Sequence, residues 1–597
     1  MPSITINGKT CDFTPGQTIL QVANNNAIGI PQYCYHDGLS IVASCRICLG
    51  EVWAPNPKSG KLEPSLGGKL QPTCQTTASD GMVVYTDSPK AVQNQKSVME
   101  YLLINHPLDC PVCDQAGECL LQDYSYQYGR SVSRFEEDKV KQPKKDLGPR
   151  VLLYSDRCIL CSRCVRFTRE VTGTSELIVQ GRGNKSEIDV FPGKALDNEL
   201  SANVIDLCPV GALLDKDFLF AQRVWFLKSA PSIDPLTAGG DNIWLEHNEG
   251  KVYRIKPRIN MAVNRWWITD EVRYGWKFVH SDQRLRTPRR RQHGVSVESD
   301  YARAYADAVE GLRAAARRGR TALIVSPMLP CEEAWALAQA ARAIDPQCLL
   351  AVGPIPRRGQ DKSFPPSAAP DTAFRVYAEK APNARGVRRI LEALAGPGSV
   401  PDHEKLIGML GSRGGSGGAA AAPITGLIIT GNYPEAWAED ALLGTVDRAR
   451  ASRPFTVVID TLASTLSEAA DVLLPGATWA EKAGTFESAR GHLQAFEAAI
   501  PVIELAKPEG QLAMDLLEFA RVGAHAPRPF PDTITTPEIG MDIPQTQEVS
   551  PPTGPLFNPV EARRAMAALP ALAMFATEVK LPGPEGEVAA DMQMVEL

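Results

Sequence analysis

Cysteine dominates the residues of this chain that could carry chemistry. Twelve of its fourteen cysteines precede residue 210, and only Cys331 and Cys348 lie beyond that point. The N-terminus, Met1-Pro2-Ser3, has neither a basic nor an apolar leader, so entry into an oxidising compartment is not expected. In that setting dense cysteine favours metal or redox chemistry over disulfides. Eleven of the N-terminal cysteines and one histidine fall into three sets of four.

The first set is Cys34, Cys45, Cys48 and Cys74. Iron in such sites needs soft, anionic thiolates. Two cysteines separated by two residues can hold one iron, and the distal pair can hold the other, so we predict a [2Fe–2S] centre. The spacing differs from the plant-type C-x4-C-x2-C pattern. A structural zinc site with four cysteine ligands is the alternative.

The second set is His106, Cys110, Cys113 and Cys119, within the stretch HPLDCPVCDQAGEC. Only three cysteines are close in sequence, and a lone histidine is usually an ordinary surface or core residue. Here His106 precedes three tightly spaced cysteines, so we predict that it is the fourth ligand of a [4Fe–4S] centre. Imidazole in place of thiolate removes negative charge, which should raise the reduction potential, as in Rieske centres.

The third set is Cys158, Cys161, Cys164 and Cys208, and Pro209 follows its last member. Three cysteines at intervals of three can hold three corners of a [4Fe–4S] cube, and the distant Cys-Pro supplies the fourth. Zinc prefers two C-x2-C knuckles to a triple run. This set therefore gives the most specific of the three patterns.

Three cysteines remain outside the sets, and we predict that all three are buried packing residues. Cys11 alternates with Phe13 along a predicted strand, and Cys331 and Cys348 flank an Ala-rich helix.

The Gly-rich stretch 411–418 lacks a phosphate-binding pattern in strand–helix context, so a loop is expected there. Arg284, Arg286 and Arg289–Arg291 are interpreted as one basic cluster on a solvated face or at a partner contact.

Composition excludes several classes of protein. The 597 residues are 44% apolar and 22% charged, as in ordinary globular chains, which excludes wholesale disorder. The net charge of −6 and the lack of a stacking platform beside the arginines argue against nucleic-acid binding. No run of about 18 apolar residues is present, so no transmembrane segment is predicted.

Short patterns place the ligand sets on elements. Ile4 and Ile6 alternate with polar residues up to an Asn7-Gly8 turn, which predicts a hairpin. A helix is expected over Ile19–Asn25, a closing strand over Met82–Tyr85, and a helix capped by Ser88-Pro89 before His106. The first domain is therefore expected to be a plant-type ferredoxin, a β-grasp, with an exposed insertion at 54–69. A second helical, cysteine-rich region is expected over 141–225, and a β-rich region over 226–280.

Beyond residue 290 apolar strand candidates alternate with Ala-rich helices, which predicts an α/β domain with a largely parallel sheet. The strand candidates are Ala322–Val325, Leu349–Val352, Leu427–Thr430 and Thr456–Ile459. Loops are expected at 353–370 and 411–422, and a poorly packed, Pro-rich segment at 526–559. The fold class is thus multidomain, α+β followed by α/β. The predicted domains are 1–85, 86–140, 141–225, 226–285, 286–525 and 526–597.

The three sets in this order resemble the large iron–sulfur subunit of NADH:quinone oxidoreductase, respiratory complex I. The stretch from His106 to Cys119 is the most specific match, and the resemblance is strong to about residue 280. It implies a [2Fe–2S] cluster at the first set and [4Fe–4S] clusters at the second and third. Some family members carry a further cluster near residue 234, where this chain has Asp234, Thr237 and Asp241. We therefore expect 226–285 to be a small β domain without a cluster, as in the mitochondrial-like version.

The later region is similar to molybdopterin oxidoreductases through Gly431-Asn432-Tyr433-Pro434 and Asp471–Gln494. Neither Cys331 nor Cys348 sits in a recognisable active-site pattern. The resemblance therefore implies a scaffold that has kept the fold but binds no molybdopterin.

The function that the resemblance implies is electron conduction within a proton-translocating oxidoreductase. Electrons from NADH and FMN on a partner would pass the three clusters toward quinone, and this chain would bind neither NADH nor FMN. The implied partners are the FMN/NADH-binding subunit, a small [2Fe–2S] subunit and the quinone-site subunits, at the cytoplasmic face of the bacterial inner membrane. The alternatives are a catalytic formate dehydrogenase or hydrogenase subunit, and a zinc-stapled scaffold without redox function.

Overall fold

The computed structural model describes residues 1–369, 372–411, 422–435, 437, 440–447, 453–522 and 554–582. Most of the predicted Gly-rich loop (412–421) and of the Pro-rich segment (526–553) lies outside the described residues. None of the described helices combines the length and the apolar composition needed to cross a membrane.

The N-terminal sheet is built around the predicted hairpin. Its strands follow the order β2-β1-β6-β3-β4, with β5 on β3, and β1 pairs in parallel with β6, the last strand of this sheet. Asn7 and Gly8 have φ of 47° and 82°, the left-handed values that a type I′ turn requires. The elements are β1 Ser3–Ile6, β2 Lys9–Asp12, α1 Ile19–Asn25, β3 Leu49–Pro55, β4 Leu62–Pro64, β5 Gln71–Pro72 and β6 Val83–Tyr85. The hairpin and helix predictions are confirmed, and the expected insertion carries the exposed strand β4.

Two helices follow this sheet, α2 Pro89–Leu103 and α3 Leu120–Tyr128. Ser88 caps α2 as predicted, because its side chain accepts a hydrogen bond from the Ala91 N–H and Pro89 occupies the first turn. The second ligand set lies on the segment between α2 and α3. The end of α2 and the start of α3 therefore set the positions of the ligands of the second set.

The expectation of a helical region over 141–225 is wrong. The region mixes short helices with antiparallel strands: β7 Lys144–Asp146, β8 Val151–Tyr154, α4 Arg163–Glu170, β9 Leu177–Gln180, β10 Glu187–Val190, α5 Asn203–Leu207 and β11 Leu213–Asp215. Strands of three or four residues are too short to show a period-2 pattern in the sequence, which explains the error. The next region is β-rich as predicted, with β12 Lys228–Ile233, β13 Asn242–Asn248, β14 Lys251–Pro257 and then α6 Asp270–Tyr274.

The C-terminal half contains the predicted parallel sheet. Four strands align in the order β18-β17-β21-β22, all parallel, and β23 extends them. Its strands are β15 Arg289–Gln292, β16 Val295–Glu298, β17 Arg320–Val325, β18 Leu349–Val352, β21 Ile424–Thr430, β22 Phe455–Asp460 and β23 Val472–Pro475. Two hairpins accompany it, β19 Lys362–Phe364 with β20 Phe374–Val376, and β24 Gly484–Glu487 with β25 Leu493–Phe496. The stretch 353–370, expected to be only a loop, therefore contributes a strand.

Helices cover this sheet. They are α7 Tyr301–Ala316, α8 Cys331–Ile344, α9 Ala384–Ala395, α10 His403–Gly411, α11 Asp440–Val446, α12 Thr465–Ala469, α13 Glu509–Val522, α14 Pro559–Ala567 and α15 Met574–Thr577. Cys331 and Cys348 are buried in the core beneath α8, as predicted.

The prediction of a solvated basic cluster at 284–291 is wrong for Arg284, which is buried and pairs with Glu481 at 2.7 Å. Arg286 and Arg289 are exposed, and Arg286 pairs with Glu504 at the surface. Residues 289–292 form β15, which pairs with β23. The partner of Arg284 lies 197 positions later in the chain, which the sequence pattern does not reveal.

Candidate metal centres

All fourteen cysteines are free thiols. Cys11 is buried in the first sheet, as the sequence predicts, in the same core as Cys48 and Cys74 of the first set. The ligand assignments themselves remain predictions, and the structure shows where each of the twelve side chains lies.

The first set closes into two thiol pairs beside one another. The sulfur atoms of Cys34 and Cys45 are 3.4 Å apart and share a hydrogen bond. This bond lowers the pKa of Cys34 to about 5, and a hydrogen bond with Cys74 lowers that of Cys48 to about 7. The charges of Cys34 and Cys45 also act on Cys74, so all four thiols lie within electrostatic reach of one another. The fold thus brings together the four side chains that the sequence groups, but it pairs Cys34 with Cys45 and Cys48 with Cys74, so the predicted pairing of Cys45 with Cys48 is wrong.

The second set has its three cysteines within electrostatic reach of one another, and its histidine shares charged neighbours with them. Burial raises the pKa of Cys119 to about 12, with a smaller contribution from Cys113. Burial also lowers the pKa of His106, which keeps the imidazole in the neutral form that binds metals. Asp109 and Arg157 act electrostatically on both His106 and Cys113, which places the imidazole in the neighbourhood of the thiols.

The third set surrounds one cavity. All four of its cysteines line it, together with apolar side chains such as Ile188 and Leu213. Burial raises the pKa of Cys164, and the other three thiols of the set each raise it further. A cavity lined by four thiols is the arrangement expected for a cluster that takes one thiolate per iron.

The backbone around the cysteines adopts conformations that expose N–H groups to sulfur. Arg46, Leu160 and Ser162, which lie between ligands of the first and third sets, have φ of 60°, 53° and 59°. Left-handed backbone at a non-glycine residue costs about 1–2 kcal/mol, so the surrounding fold must impose it. One result is that the Leu160 N–H donates to the sulfur of Cys158 at 3.4 Å. Such bonds stabilise the thiolate and tune the potential of an iron–sulfur cluster.

One hydrophobic core holds cysteines of the second and third sets and borders the first. Cys119, Cys164 and Cys208 are buried in it, and partly buried Cys45 packs against it, whereas Cys48 and Cys74 are buried in the core of the first sheet. Tyr33 is fully buried, and both Cys45 of the first set and Cys119 of the second act on its phenol electrostatically. The second and third sites therefore share one low-dielectric interior, and the first site adjoins it through Cys45.

The second and third sets are in direct contact. A Cβ on Gly211 would lie 2.3 Å from the sulfur of Cys113. Buried Arg157 donates to the Gly211 carbonyl at 3.3 Å and to Asp109 at 3.1 Å. The backbone that follows Cys208 thus packs directly on the loop of the second set.

A charged network anchors the second set from its other side. Glu118, the residue before Cys119, accepts hydrogen bonds from Arg254 at 3.0 and 2.8 Å and from Lys256 at 3.2 Å. Arg254 also pairs with Glu246 at 2.5 Å. Burial alone would raise the pKa of Glu118, but the two cations outweigh it and lower the pKa to about 2.

Across the described ranges, no three His, Cys, Asp or Glu side chains come together as the ligands of a single metal ion.

Buried charges are the functional residues that the sequence reasoning missed. Arg157, Arg163, Arg166 and Glu118 lie against the ligand loops, and each immediately precedes a cysteine or lies within two residues of one. That proximity to the cysteine runs was the available signal.

In the loop at 234–241, where the resemblance suggests a lost cluster, a carboxylate side chain accepts hydrogen bonds from the backbone of the loop. Asp234 accepts hydrogen bonds from the N–H of Leu236 at 2.8 Å and of Thr237 at 3.2 Å. Burial raises the pKa of Asp234 to about 7, and burial together with the charge of Asp234 raises that of Asp241 well above its usual range.

The carboxyl edge of the parallel sheet, where ligands of open α/β sheets usually bind, is filled by paired charges. Buried Lys482 pairs with Glu333 at 2.8 Å and with Glu509. Asn432, which follows β21, donates to Glu509 at 2.8 Å. These buried polar groups bind to one another.

Family models match the chain over five segments. Their descriptions define a class, iron–sulfur redox proteins joined to a molybdopterin-oxidoreductase fold. The matches are: 2Fe-2S iron-sulfur cluster binding domain (2–89), NADH-ubiquinone oxidoreductase-G iron-sulfur binding region (95–134), NADH-quinone oxidoreductase subunit 3, ferredoxin-like domain (148–214), NADH-ubiquinone oxidoreductase NDSU1/NuoG-like, 4Fe-4S domain (227–277) and Molybdopterin oxidoreductase (413–519). The segment 227–277 contains no cysteine.

Curated relatives narrow the class. The 75 kDa subunit of NADH-ubiquinone oxidoreductase from Reclinomonas americana is 38% identical over 56% of this chain and 46% of its own length. An NADH-quinone oxidoreductase subunit from Rickettsia felis is 38% identical over 51% of this chain and 43% of its own length. The mitochondrial 78 kDa subunit of Neurospora crassa is 43% identical over 49% of this chain and 38% of its own length. The chain is thus a relative of the large iron–sulfur subunit of NADH:quinone oxidoreductase, which confirms the resemblance. It spans less than half the length of these relatives.

A solved structure also matches part of the chain. The NAD+-reducing [NiFe]-hydrogenase in its H2-reduced state is 28% identical over 37% of this chain and 91% of the hydrogenase chain, with a TM-score of 0.32. A TM-score this low does not establish a shared fold.

Proposed function

We propose that this chain is an electron-transfer subunit of an NADH:quinone oxidoreductase, complex I. It holds one [2Fe–2S] cluster on Cys34, Cys45, Cys48 and Cys74. It holds two [4Fe–4S] clusters, one on His106, Cys110, Cys113 and Cys119 and one on Cys158, Cys161, Cys164 and Cys208. When bound, such clusters each accept and release one electron.

The observation that carries the proposal is the closeness of the three sets: one core buries cysteines of the second and third sets, and Cys45 of the first set packs against it. Electron tunnelling needs centres that are close together, fixed and shielded from water. Tyr33 between the first and second sets, and Gly211 between the third and second, keep each loop in contact with the next. A zinc-stapled scaffold would have no need to gather three separate sites so closely.

The protein's own work in this proposal is positioning and tuning. Backbone N–H groups reach the sulfurs, as Leu160 does at Cys158, and the buried arginines supply fixed positive charge. No acid–base residue is required. The charges at the carboxyl edge of the C-terminal sheet are already paired, which favours a scaffold there over a molybdopterin enzyme.

Partners are also part of the proposal. We expect the chain to receive electrons from an FMN/NADH-binding subunit and a small [2Fe–2S] subunit, and to pass them to quinone-site subunits at the cytoplasmic face of the membrane. Phe220, Trp225 and Phe226 are exposed beside the second set, with Trp225 against Gly117. An exposed aromatic surface of this kind favours a protein partner.

The test is a reductive titration of the anaerobically purified chain, followed by low-temperature EPR. The proposal predicts three separate paramagnetic species and an uptake of about three electrons per chain, one per cluster. A colourless protein that takes up no electrons would refute it in favour of the scaffold.

A further inference from the structure

Two buried arginines link the backbone of the first ligand set to that of the third. Both belong to α4, and each is 3% exposed. Arg166 donates from Nη2 to the carbonyl oxygen of Cys34 and, at 3.4 Å, to that of Cys161. Arg163 donates to the carbonyl of Tyr35, next to Cys34, and at 3.4 Å to that of Leu207, next to Cys208. Each guanidinium therefore spans from one predicted cluster site to the other.

The hydrogen bonds of the Arg166 guanidinium go to neutral oxygens rather than to a carboxylate. Its hydrogen bonds go to the carbonyls of Cys34, Cys161 and Ser40 and to the hydroxyl of Ser162, all neutral oxygens. Glu170 is near, but its carboxylate is bound by the Ser40 N–H and hydroxyl at 2.8 and 2.6 Å. A buried cation without a close counter-ion is costly. The remaining negative groups in its surroundings are the thiols of Cys161 and Cys34, once they are ionised by iron.

We propose that Arg166 is a positioning and tuning residue that fixes the first and third sets to each other and raises the reduction potentials of both their clusters. This inference rests on the proposed function, because it needs clusters at both sets. Reduction adds negative charge to a cluster, and a fixed positive charge in a low-dielectric interior favours the reduced form. One guanidinium faces both sites, so a single substitution should shift two potentials in the same direction. The second set does not contact Arg166 and should not respond.

The experiment is an EPR-monitored redox titration of the full chain, purified without oxygen, as wild type, Arg166→Gln and Arg166→Lys. Arg166→Gln should lower the midpoint potentials of the [2Fe–2S] cluster and of the third-set [4Fe–4S] cluster and leave the second-set cluster unchanged. Arg166→Lys keeps the charge but loses the planar fork, so its potentials should lie closer to wild type. The matched control is Arg169→Gln on the same helix, because the Arg169 side chain is exposed and pairs with Glu170. It should shift no potential.

The outcomes separate this inference from the proposed function. A wild-type chain without clusters would refute the proposed function. Full clusters with unshifted potentials in Arg166→Gln would overturn the inference alone. If Arg166→Gln assembles neither cluster, Arg166→Lys decides: both clusters with near wild-type potentials support the role of the charge. Loss of both clusters in that variant too, with Arg169→Gln intact, would overturn it, since the fork rather than the charge would then be essential.

Discussion

Gly211→Ala tests whether Cys113 is held by a metal. The added Cβ would lie 2.3 Å from the Cys113 sulfur and 3.1 Å from Cβ of Gln115. Ordinary contacts need about 3.5–4.0 Å, so the sulfur must move by more than about 1 Å. A free thiol can do so by rotating about its Cα–Cβ bond at little cost. A thiol bonded to iron cannot, and the strain then falls on the cluster and on the backbone, at about 1–3 kcal/mol.

We therefore expect Gly211→Ala to lose the second-set cluster selectively. Iron should fall from about ten to about six atoms per chain, and the EPR signals of the first and third sets should persist. The control is Gly408→Ala, where a Cβ meets nothing within 4 Å. Full iron content and three unchanged EPR signals in Gly211→Ala would show that the Cys113 thiol is free to move, and would refute its assignment as a ligand.

Four further predictions rest on single sites. His106→Cys should keep a [4Fe–4S] cluster with a lower midpoint potential in a redox titration, because thiolate adds negative charge; an unchanged potential would count against ligation. Cys11→Ser should leave every EPR signal intact, and loss of a cluster would show that the sets are wrongly assigned. Lys482→Met leaves two buried carboxylates without their cation, so calorimetry should show a destabilisation of about 3–5 kcal/mol. The control Arg286→Met breaks an exposed ion pair and should cost about 1 kcal/mol or less. Equal losses of stability in the two variants would contradict this prediction. Burial and the charge of Asp234 raise the pKa of Asp241 well above its usual range, so the fold favours the protonated carboxyl. Denaturant-measured stability should therefore fall as pH rises above about 4, by up to about 1.4 kcal/mol per unit, and Asp241→Asn should flatten that slope; an unchanged slope in the variant would exclude this role.

Local patterns predicted the elements that local residues determine. The Asn7-Gly8 turn, the Ser88-Pro89 cap and the four buried parallel strands were all predictable, because each depends on residues adjacent in sequence. Local spacing was enough to propose the second ligand set, whereas the first and third sets each include a cysteine that is distant in sequence, Cys74 and Cys208.

Features that depend on distant contacts could not be predicted. Arg284 looked like part of an exposed basic cluster, yet its partner Glu481 comes from the far side of the α/β domain. Arg166 sits in an ordinary-looking helix, and its role depends on the Cys34 loop, more than a hundred residues earlier. Short strands such as β8 and β11 carry too few residues to show a period, so a mixed region was predicted as helical.

The most direct test of the central claim is the content of iron, acid-labile sulfide, zinc and molybdenum per chain, measured on protein purified without oxygen. Three clusters on the twelve predicted ligands require about ten iron atoms and an equal amount of sulfide, with neither molybdenum nor stoichiometric zinc. About fourteen iron atoms would contradict the expected lack of a fourth cluster at 234–241. Molybdenum near one per chain would make the C-terminal half an enzyme, and stoichiometric zinc in place of iron would refute electron transfer by this chain.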